Sequence, residues 1–432
     1  MNPSRERDPT DGASTQPIPL PRRRGLIFPA FAWSGFSSAF ASIVVGSHLQ
    51  AALGTLDAIF ATVLGNWILF IYSAAIGFAA GRWGLSSQLV LEAVFGRWGA
   101  VIPGALLGTL VTGWYAFHVA LTATILSAAL HLPIGSTLSI CLIGLLFATP
   151  VIVRISHGFN LTAIAIPAMT LFAALVFAHL LIPKWTVLLD GPIGGALPFG
   201  TGVCIAFGTF VVSGTMTGDI VRYCRTGNEA VQATAYGFLL SNLPFLLLGV
   251  LVAAAGIKVT DLFTSGHALP WMLLVLAVVS NWTTSDACLT NAGVTFKSAF
   301  PRLPWAVASA AAMLLGILLA VTDTVGDVAD WTLLLTAVAA PIGGVIVADY
   351  YVLRVRVGFS RTRGAPVNVA ALSAAAAGMV VSFACNRLIP GAITPLISAP
   401  AAGCLYLVLA NLASHRLGAD LGAATVGAEA LD

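Results

Sequence analysis

Charged side chains are scarce in this chain of 432 residues, because Asp, Glu, Lys and Arg together make up only 9% of it. A soluble globular domain carries about 25% of such residues. Hydrophobic residues make up 58% of the chain, and its mean hydropathy is +0.94. This composition excludes an ordinary soluble domain and indicates a protein that crosses a membrane several times.

The residue patterns of disulfide frameworks, zinc sites and hydrolytic enzymes are also missing. The 6 cysteines are scattered without CxxC spacing, which is a poor match to a disulfide or zinc framework. The sequence has no GxSxG, no HExxH, no P-loop and no paired carboxylates at helical spacing in an apolar run. We therefore expect no enzymatic activity, no catalytic residues and no organic cofactor.

Apolar runs of about 20 residues recur along the chain, and a helix needs about this length to cross a bilayer. Strand-like alternation of polar and apolar residues is absent. The sequence therefore predicts an all-α polytopic membrane protein with 12 transmembrane helices, embedded in the lipid bilayer. The predicted helices begin near Leu26, Ala58, Val101, Gly135, Leu161, Gly200, Ala233, Pro270, Leu303, Thr332, Asn368 and Thr394.

The Lys and Arg residues agree with this count, because cytoplasmic loops hold an excess of them. If the N-terminus is cytoplasmic, only Lys184, Lys258 and Arg387 of the 20 basic residues fall on the outer side. We predict a multi-pass protein of the cytoplasmic (inner) membrane with both termini in the cytoplasm. The basic residues are spread over many loops, so no nucleic-acid partner is expected.

A single transporter-like membrane domain is predicted over residues 25–414, because no loop is long enough to hold a second folded unit. Residues 1–24 are rich in Pro, Arg, Ser and Thr and have no apolar signal-peptide core. They predict a disordered cytoplasmic tail. Residues 415–432 predict a short cytoplasmic tail at the other end, and the protein is expected to be a monomer.

A polar block interrupts the eighth predicted helix. Six consecutive residues, Asn281 to Asp286, include only one apolar side chain, and each unpaired polar group in hydrocarbon costs several kcal/mol. On a helix, Ser280, Thr283 and Thr284 lie at i, i+3 and i+4 and share one face. Hydroxyl oxygens are ligands that hard cations prefer. The block therefore indicates a bound cation or internal polar partners.

Aromatic residues in the third and sixth predicted helices suit a flat ligand. Trp114 and His118 lie at i and i+4 on one helix face, although a packing tryptophan and a hydrogen-bonded histidine are the ordinary alternatives. Thr209 and Phe210 precede a glycine-rich interruption at residues 213–218. Stacking of a base on an aromatic ring is worth about 1–3 kcal/mol, so Phe210 facing Trp114 would form a favourable sandwich.

Glycine-rich interruptions occupy corresponding places in the first helix, at Gly35 to Phe40, and in the sixth. Such matched interruptions are typical of inverted repeats with broken helices around a site at the middle of the membrane. Close packing through small residues is the alternative for each interruption alone. The matched pair favours the broken helices.

Several segments together resemble the nucleobase:cation symporter-1 family, and within it the bacterial cytosine permease branch. The likeness runs from about Leu26 to Leu412. Its most specific segments are LGNW (64–67), GRWGLSSQ (81–88), VTGWYAF (111–117), GTFVVSGTMTGDIVRY (208–223), NWTTSD (281–286) and GGVIVADY (343–350).

This resemblance implies the leucine-transporter fold, with two inverted five-helix repeats followed by two more helices. It implies a sodium ion between helices 1 and 8, and a flat substrate between an aromatic residue of helix 3 and one of helix 6. Val212 stands where the family's cytosine permease has serine, which removes one hydrogen-bond partner of the substrate. Carried over to this sequence, the sodium ligands are Gly35, Ser38, Ser280, Thr283 and Thr284, and the substrate contacts are Trp114, Thr209 and Phe210.

The candidate substrate site also includes His118, Ser285 and Asp286. The alternative for Ser285 and Asp286 is that they form hydrogen bonds with backbone groups at a helix break. We expect a secondary active transporter that imports a nucleobase-like heterocycle, cytosine or a related pyrimidine or purine, with sodium by alternating access. One alternative is a proton-coupled carrier of a hydantoin, allantoin or vitamin-like pyrimidine, in which His118 or Asp286 titrates. The others are an amino-acid carrier of the same fold and a membrane sensor.

Overall fold

The computed structural model describes residues 16–130, 137–153, 159–187, 195–264, 268–300, 302–354 and 366–428, and the secondary-structure elements in these ranges are helices. This confirms the all-α prediction. The predicted helix start at Gly135 lies outside the described residues. Up to residue 187 the helices are α1 (Ile27–Ser37), α2 (Phe40–Leu53), α3 (Thr55–Trp83), α4 (Ser87–Phe95), α5 (Val101–Leu130), α6 (Thr137–Ile152) and α7 (Phe159–Val176).

The second half of the chain begins with three short helices in place of one long helix. Further along the chain, a π-helical turn, Phe238–Asn242, joins the helices Gly227–Gly237 and Leu243–Ala254 into one span. The helices are α8 (Phe199–Gly208), α9 (Val211–Thr215), α10 (Gly218–Val221), α11 (Gly227–Gly237), α12 (Leu243–Ala254), α13 (Ala268–Ala299), α14 (Trp305–Val321), α15 (Val328–Ala348), α16 (Val369–Leu388) and α17 (Pro395–Ala428).

The helices are long and apolar enough for a polytopic membrane protein, which confirms that prediction. Within the described residues, 8 helices satisfy the length and hydropathy of a membrane span, and α1 with α2 forms a ninth that is bent by 53°. The helices α6, α8 and α14 are apolar but shorter. The count of 12 spans and the two inverted repeats stay predictions.

Local sequence explains several helix boundaries. The Ser86 hydroxyl accepts a hydrogen bond from the Leu89 amide (3.3 Å), and the Thr226 hydroxyl accepts one from Glu229 (3.1 Å). These contacts satisfy amide groups that have no partner within the first turn of a helix. Gly84 ends α3 with φ +68°, a left-handed conformation that favours glycine.

Glycine also permits the close packing of α2 on α12. Gly46 lies against the carbonyl group of Leu246, and Gly249 lies against that of Ile43. A Cβ atom at either glycine would collide with backbone, which cannot move aside as a side chain can. The pair therefore fixes α2, one half of the broken first span, against the span that carries the π-helical turn.

The first span is broken where the sequence predicted a break. Ser38 has φ −74° and ψ 59°, and Ala39 is extended, so two residues separate α1 from α2. The sixth region is interrupted twice, at Thr209–Phe210 and at Met216–Thr217. The second interruption lies inside the predicted one, but Phe210 forms part of an interruption instead of preceding it.

Residues 16–24, the last part of the predicted N-terminal tail, contact the helix ends. The Arg23 guanidinium is buried and donates hydrogen bonds to the carbonyl groups of Gly81 (2.9 Å) and Ile18 (2.9 Å). Five donors in a fixed fork allow one arginine to satisfy several exposed carbonyl groups at once. Residues 1–15 of the predicted tail lie outside the described residues.

At the other end, α17 continues through part of the segment that the sequence assigned to a C-terminal tail. The helix runs to Ala428, whereas the membrane span within it covers Pro395–Leu412. Residues 415–428 are therefore helical. Residues 429–432 of the predicted tail lie outside the described residues.

Candidate substrate and cation site

The polar block of α13 docks on the break in the first span. The Ser280 hydroxyl donates to the Ser38 carbonyl oxygen (3.1 Å) and accepts a hydrogen bond from the Phe40 amide (3.0 Å). A helix break leaves amide and carbonyl groups without partners in their own helix. Ser280 satisfies one group on each side of the break, so two of the predicted cation ligands, Ser38 and Ser280, are in contact.

The other predicted ligands lie close along the chain to this contact. Thr283 and Thr284 follow Ser280 on the same face of α13, and Gly35 is buried three residues before Ser38. The Thr283 hydroxyl donates to the Ser280 carbonyl group (3.0 Å). The Thr284 hydroxyl is buried and has no hydrogen-bond partner among the described residues.

The chemistry of these groups fits a monovalent hard cation. They are neutral carbonyl and hydroxyl oxygens, which hard cations bind. No group of three or more His, Cys, Asp or Glu side chains that could hold a metal occurs in the described part of the chain. An unsatisfied buried hydroxyl costs about 1–3 kcal/mol, so a ligand at Thr284 would offset a cost that the fold otherwise carries.

His118 is held by the same polar block. Its Nδ1 atom lies 3.1 Å from Asn281 Oδ1, while Asn281 Nδ2 donates to the Thr122 hydroxyl (3.0 Å) and that hydroxyl donates to the His118 carbonyl group (2.8 Å). Because the amide nitrogen must face Thr122, the amide oxygen faces the imidazole. Nδ1 therefore carries a hydrogen, and in the neutral form of the ring Nε2 is an acceptor.

A small cavity lies beside the break in the first span. Its volume is about 10 Å³, and its lining includes the predicted substrate residues Trp114, Thr209 and Phe210. Such a volume holds about one water molecule, so a heterocycle enters this site only when the walls separate. The whole lining is Ala39, Ala41, Ser42, Val45, Trp114, Thr209 and Phe210.

Other aromatic rings support the two in the cavity wall. Phe210 packs edge-on against Phe36, with ring centroids 5.5 Å apart, and Trp114 packs edge-on against Phe117 at 5.6 Å. Edge-to-face pairs at such distances are favourable by about 0.5–1.5 kcal/mol beyond burial. The indole Nε1 of Trp114 is buried and has no acceptor within the described ranges, so it is a donor available to a ligand.

The remaining predicted substrate residues are not in the cavity wall. His118 lies beside Trp114, with ring centroids 6.4 Å apart, and is absent from the lining. Ser285 and Asp286 are fully buried in α13 and are also absent from it. Their assignment as substrate contacts stays a prediction.

Sequence reasoning missed a hydrogen-bonded cluster next to the cavity, which we call the Asn242 cluster: Ser42, Asn66, Thr209 and Asn242. The Ser42 hydroxyl donates to Asn242 Oδ1 (2.7 Å), and Asn242 Nδ2 donates to Asn66 Oδ1 (2.8 Å) and to the Thr209 hydroxyl (3.1 Å). These residues come from three different spans and from the interruption after α8. Asn66 is a lone polar residue in an apolar run, and Asn242 follows Ser241 in another apolar run, so a signal was available in the sequence.

Hydrogen bonds join the sixth region to its neighbours at the end of the bundle that carries the N-terminal segment. Ser87 joins the short helix α4 to the sixth region, because its amide donates to the Asp219 carboxylate (3.1 Å) and its hydroxyl donates to the Met216 carbonyl group (2.6 Å). The amide groups of Arg24 and Gly25 donate to the carbonyl group of Tyr223. The sixth region is thus hydrogen-bonded to α4 through Met216 and Asp219, and to the N-terminal segment through Tyr223.

Comparison with known proteins identifies the family. A family described as "Permease for cytosine/purines, uracil, thiamine, allantoin" matches residues 17–408. The cytosine permease of Escherichia coli (strain K12) is 29% identical over 425 residues, covering 93% of this chain and 95% of that protein. The hydantoin permease of Microbacterium maritypicum is 25% identical over 394 residues, covering 81% and 79% of the two chains.

A solved structure shares the fold. Mhp1, a nucleobase-cation-symport-1 family transporter in a closed conformation with bromovinylhydantoin bound, superposes with a TM-score of 0.76 at 22% identity, over 93% of this chain and 96% of that one. The predicted resemblance to this family is therefore confirmed, and so is the prediction that the protein is not an enzyme. The chain belongs to the family of permeases for cytosine/purines, uracil, thiamine and allantoin, and it is a multi-pass membrane transport protein.

Proposed function

We propose that this permease imports a nucleobase-like heterocycle, cytosine or a related pyrimidine or purine, together with sodium by alternating access. The observation that carries the proposal is the position of the break in the first span. Ser38 turns its carbonyl group to the polar block of α13, while the next residue, Ala39, lines the aromatic cavity. One break therefore contributes to both candidate sites.

The two sites would be coupled through this break. Sodium bound by the Ser38 carbonyl group and the Thr284 hydroxyl would fix the orientation of the residues that follow, including Ala39 and Ser42 in the cavity wall. Coupling between two bound ligands is reciprocal and amounts to about 5–150-fold in affinity. The heterocycle would therefore bind more tightly with sodium, and sodium more tightly with the heterocycle.

Uptake of labelled cytosine into proteoliposomes tests this proposal. We expect accumulation when an inward sodium gradient is imposed and little when sodium is replaced by choline. Thr284→Val should abolish the sodium response. Thr170→Val is the matched control, because the Thr170 hydroxyl is exposed and bonds only within its own helix. Equal uptake with and without sodium in the unmodified protein would contradict sodium coupling.

A proton-coupled carrier of another heterocycle, such as a hydantoin, is the second candidate. The observation that favours it is His118, a buried imidazole beside Trp114 with its Nε2 atom as an acceptor. This candidate expects uptake that follows a pH gradient, ignores sodium and is lost in His118→Gln, which keeps a hydrogen-bonding side chain but does not titrate. Sodium-driven uptake by His118→Gln would contradict it.

A further inference from the structure

The two hydroxyl groups of the cavity wall, on Ser42 and Thr209, both donate their hydrogens to other groups of the protein. The Ser42 hydroxyl donates to Asn242 Oδ1 (2.7 Å), and the Thr209 hydroxyl donates to the Ala206 carbonyl group (2.7 Å). A hydroxyl has one hydrogen to donate and two lone pairs that accept. Both wall positions therefore present only lone pairs to the cavity.

The orientation of the Asn242 amide follows from the groups behind it. Asn66 Nδ2 donates to the Thr62 carbonyl group (3.0 Å), which is an acceptor only, so Asn66 Oδ1 faces Asn242. Asn242 must place its Nδ2 toward Asn66 and Thr209, and its Oδ1 toward Ser42. A flip of either amide would bring like groups together, so this network fixes one arrangement.

We propose that Asn242 is a positioning residue that sets the wall formed by Ser42 and Thr209 as a hydrogen-bond acceptor. The site then selects heterocycles that present an exocyclic amino group to this wall over analogues with a carbonyl group at the same ring position. This inference rests on the proposed transport of a nucleobase-like compound. Trp114 Nε1, a buried donor without a partner in the described chain, supplies the complementary group for a ring acceptor.

The physical reason is the mismatch between lone pairs. An amino group donates two hydrogens and satisfies both hydroxyl oxygens, whereas a carbonyl oxygen turned to the same wall faces two acceptors. Sites built around hydrogen bonds reject an analogue that lacks them by more than apolar pockets do, because the polar groups of the site are left without partners. The cavity wall is buried, so water does not compensate for this loss.

Two matched pairs of bases test the inference on the unmodified protein, and no variant has to fold. Cytosine carries an amino group and uracil a carbonyl group at the same ring position, and the neighbouring ring nitrogen is an acceptor in cytosine and an N–H donor in uracil. Adenine and hypoxanthine differ in the same way, so the unmodified protein reports on both groups and the Asn242 variant isolates the wall. Dissociation constants would be measured by isothermal titration in sodium buffer. We expect each amino compound to bind at least about tenfold more tightly than its carbonyl partner, which corresponds to two lost hydrogen bonds of modest net strength.

Variants then separate the role of Asn242 from a general effect on binding. Asn242→Ala frees the hydrogen of Ser42, which can turn to a carbonyl group, so the amino-to-carbonyl affinity ratio should fall about tenfold toward one. Phe210→Leu is the control, because it weakens stacking with all four bases and leaves the ratio unchanged. A residue that only supports the fold would lower all affinities without changing the ratio.

The outcomes distinguish this inference from the proposed function. If the bases bind but the carbonyl members bind as tightly as the amino members, the inference is overturned and the proposed function stands. The inference is also overturned if Asn242→Ala binds the bases with an unchanged ratio. If none of the four bases binds with or without sodium, both the inference and the proposed function are wrong.

Discussion

Two buried polar clusters flank the break in the first span, and they differ in how fully they are bonded. In the Asn242 cluster, each side chain has a hydrogen-bond partner within the cluster or on nearby backbone. In the cluster around Ser38 and Ser280, which we call the break cluster and which includes Thr283 and Thr284, the Thr284 hydroxyl has no partner among the described residues. A saturated network specifies geometry, whereas an unsaturated buried group invites a ligand.

The largest expected effect on stability comes from a substitution in the Asn242 cluster. Asn242→Ala leaves Ser42, Asn66 and Thr209 without a shared partner, and each unsatisfied buried group costs about 1–3 kcal/mol. We expect a clear fall in the midpoint of thermal unfolding in detergent, measured without ligand. Asn228→Ala, at an exposed position on α11, provides the comparison. An unchanged midpoint would show that the cluster contributes nothing to stability.

A substitution in the break cluster should have the opposite effect on stability. Thr284→Val replaces an unpartnered hydroxyl by a methyl group of similar volume, so the protein without sodium should be equally stable or more stable, by up to about 1–3 kcal/mol. The same variant should lose the rise in unfolding midpoint that sodium produces in the unmodified protein. If Thr284→Val is strongly destabilised and still responds to sodium, the contrast between the two clusters is wrong.

An intermediate effect is expected at Ser280, which is bonded on both sides. Ser280→Ala removes the acceptor for the Phe40 amide at the start of α2, and loss of such a helix cap costs about 0.5–2 kcal/mol. Ser280→Thr retains the hydroxyl and should recover the stability if the methyl group is accommodated. Thermal unfolding of the three proteins measures this effect. Equal midpoints would show that the hydrogen bonds of Ser280 do not contribute to the stability of the fold.

The smallest effect concerns the available donor in the cavity wall. Trp114→Phe keeps an aromatic face and removes Nε1, so base affinity should fall by the net value of one hydrogen bond, about 0.5–1.5 kcal/mol. Trp67→Phe is the matched control on a half-exposed tryptophan. Titration with cytosine measures both. An unchanged affinity in Trp114→Phe would show that Nε1 does not contact the ligand.

The sequence predicted those features that local patterns or the family resemblance carry. Apolar runs gave the polytopic helical architecture, and the interruption between Gly35 and Phe40 located the break. Trp114, Thr209 and Phe210 were placed together by resemblance, and they share one cavity. The first two features rest on residues within a few positions of one another, whereas the pairing of Trp114 with Phe210 rests on the family resemblance.

The features that were missed depend on partners far apart in the chain. Asn66 and Asn242 are 176 positions apart, and a lone polar residue in an apolar run shows that a partner is needed without showing which one. The Arg23 contact with Gly81 joins residues 58 positions apart and orders a segment whose composition is typical of disorder. Only tertiary packing selects such pairs.

Linkage between cytosine and sodium is the central property of the proposed transporter. The dissociation constant of cytosine would be measured by titration in saturating sodium and in choline, and that of sodium with and without cytosine. Reciprocal coupling predicts that both constants fall by the same factor, about 5–150-fold, and that Thr284→Val brings this factor to one. A cytosine dissociation constant that is equal in sodium and in choline would contradict it.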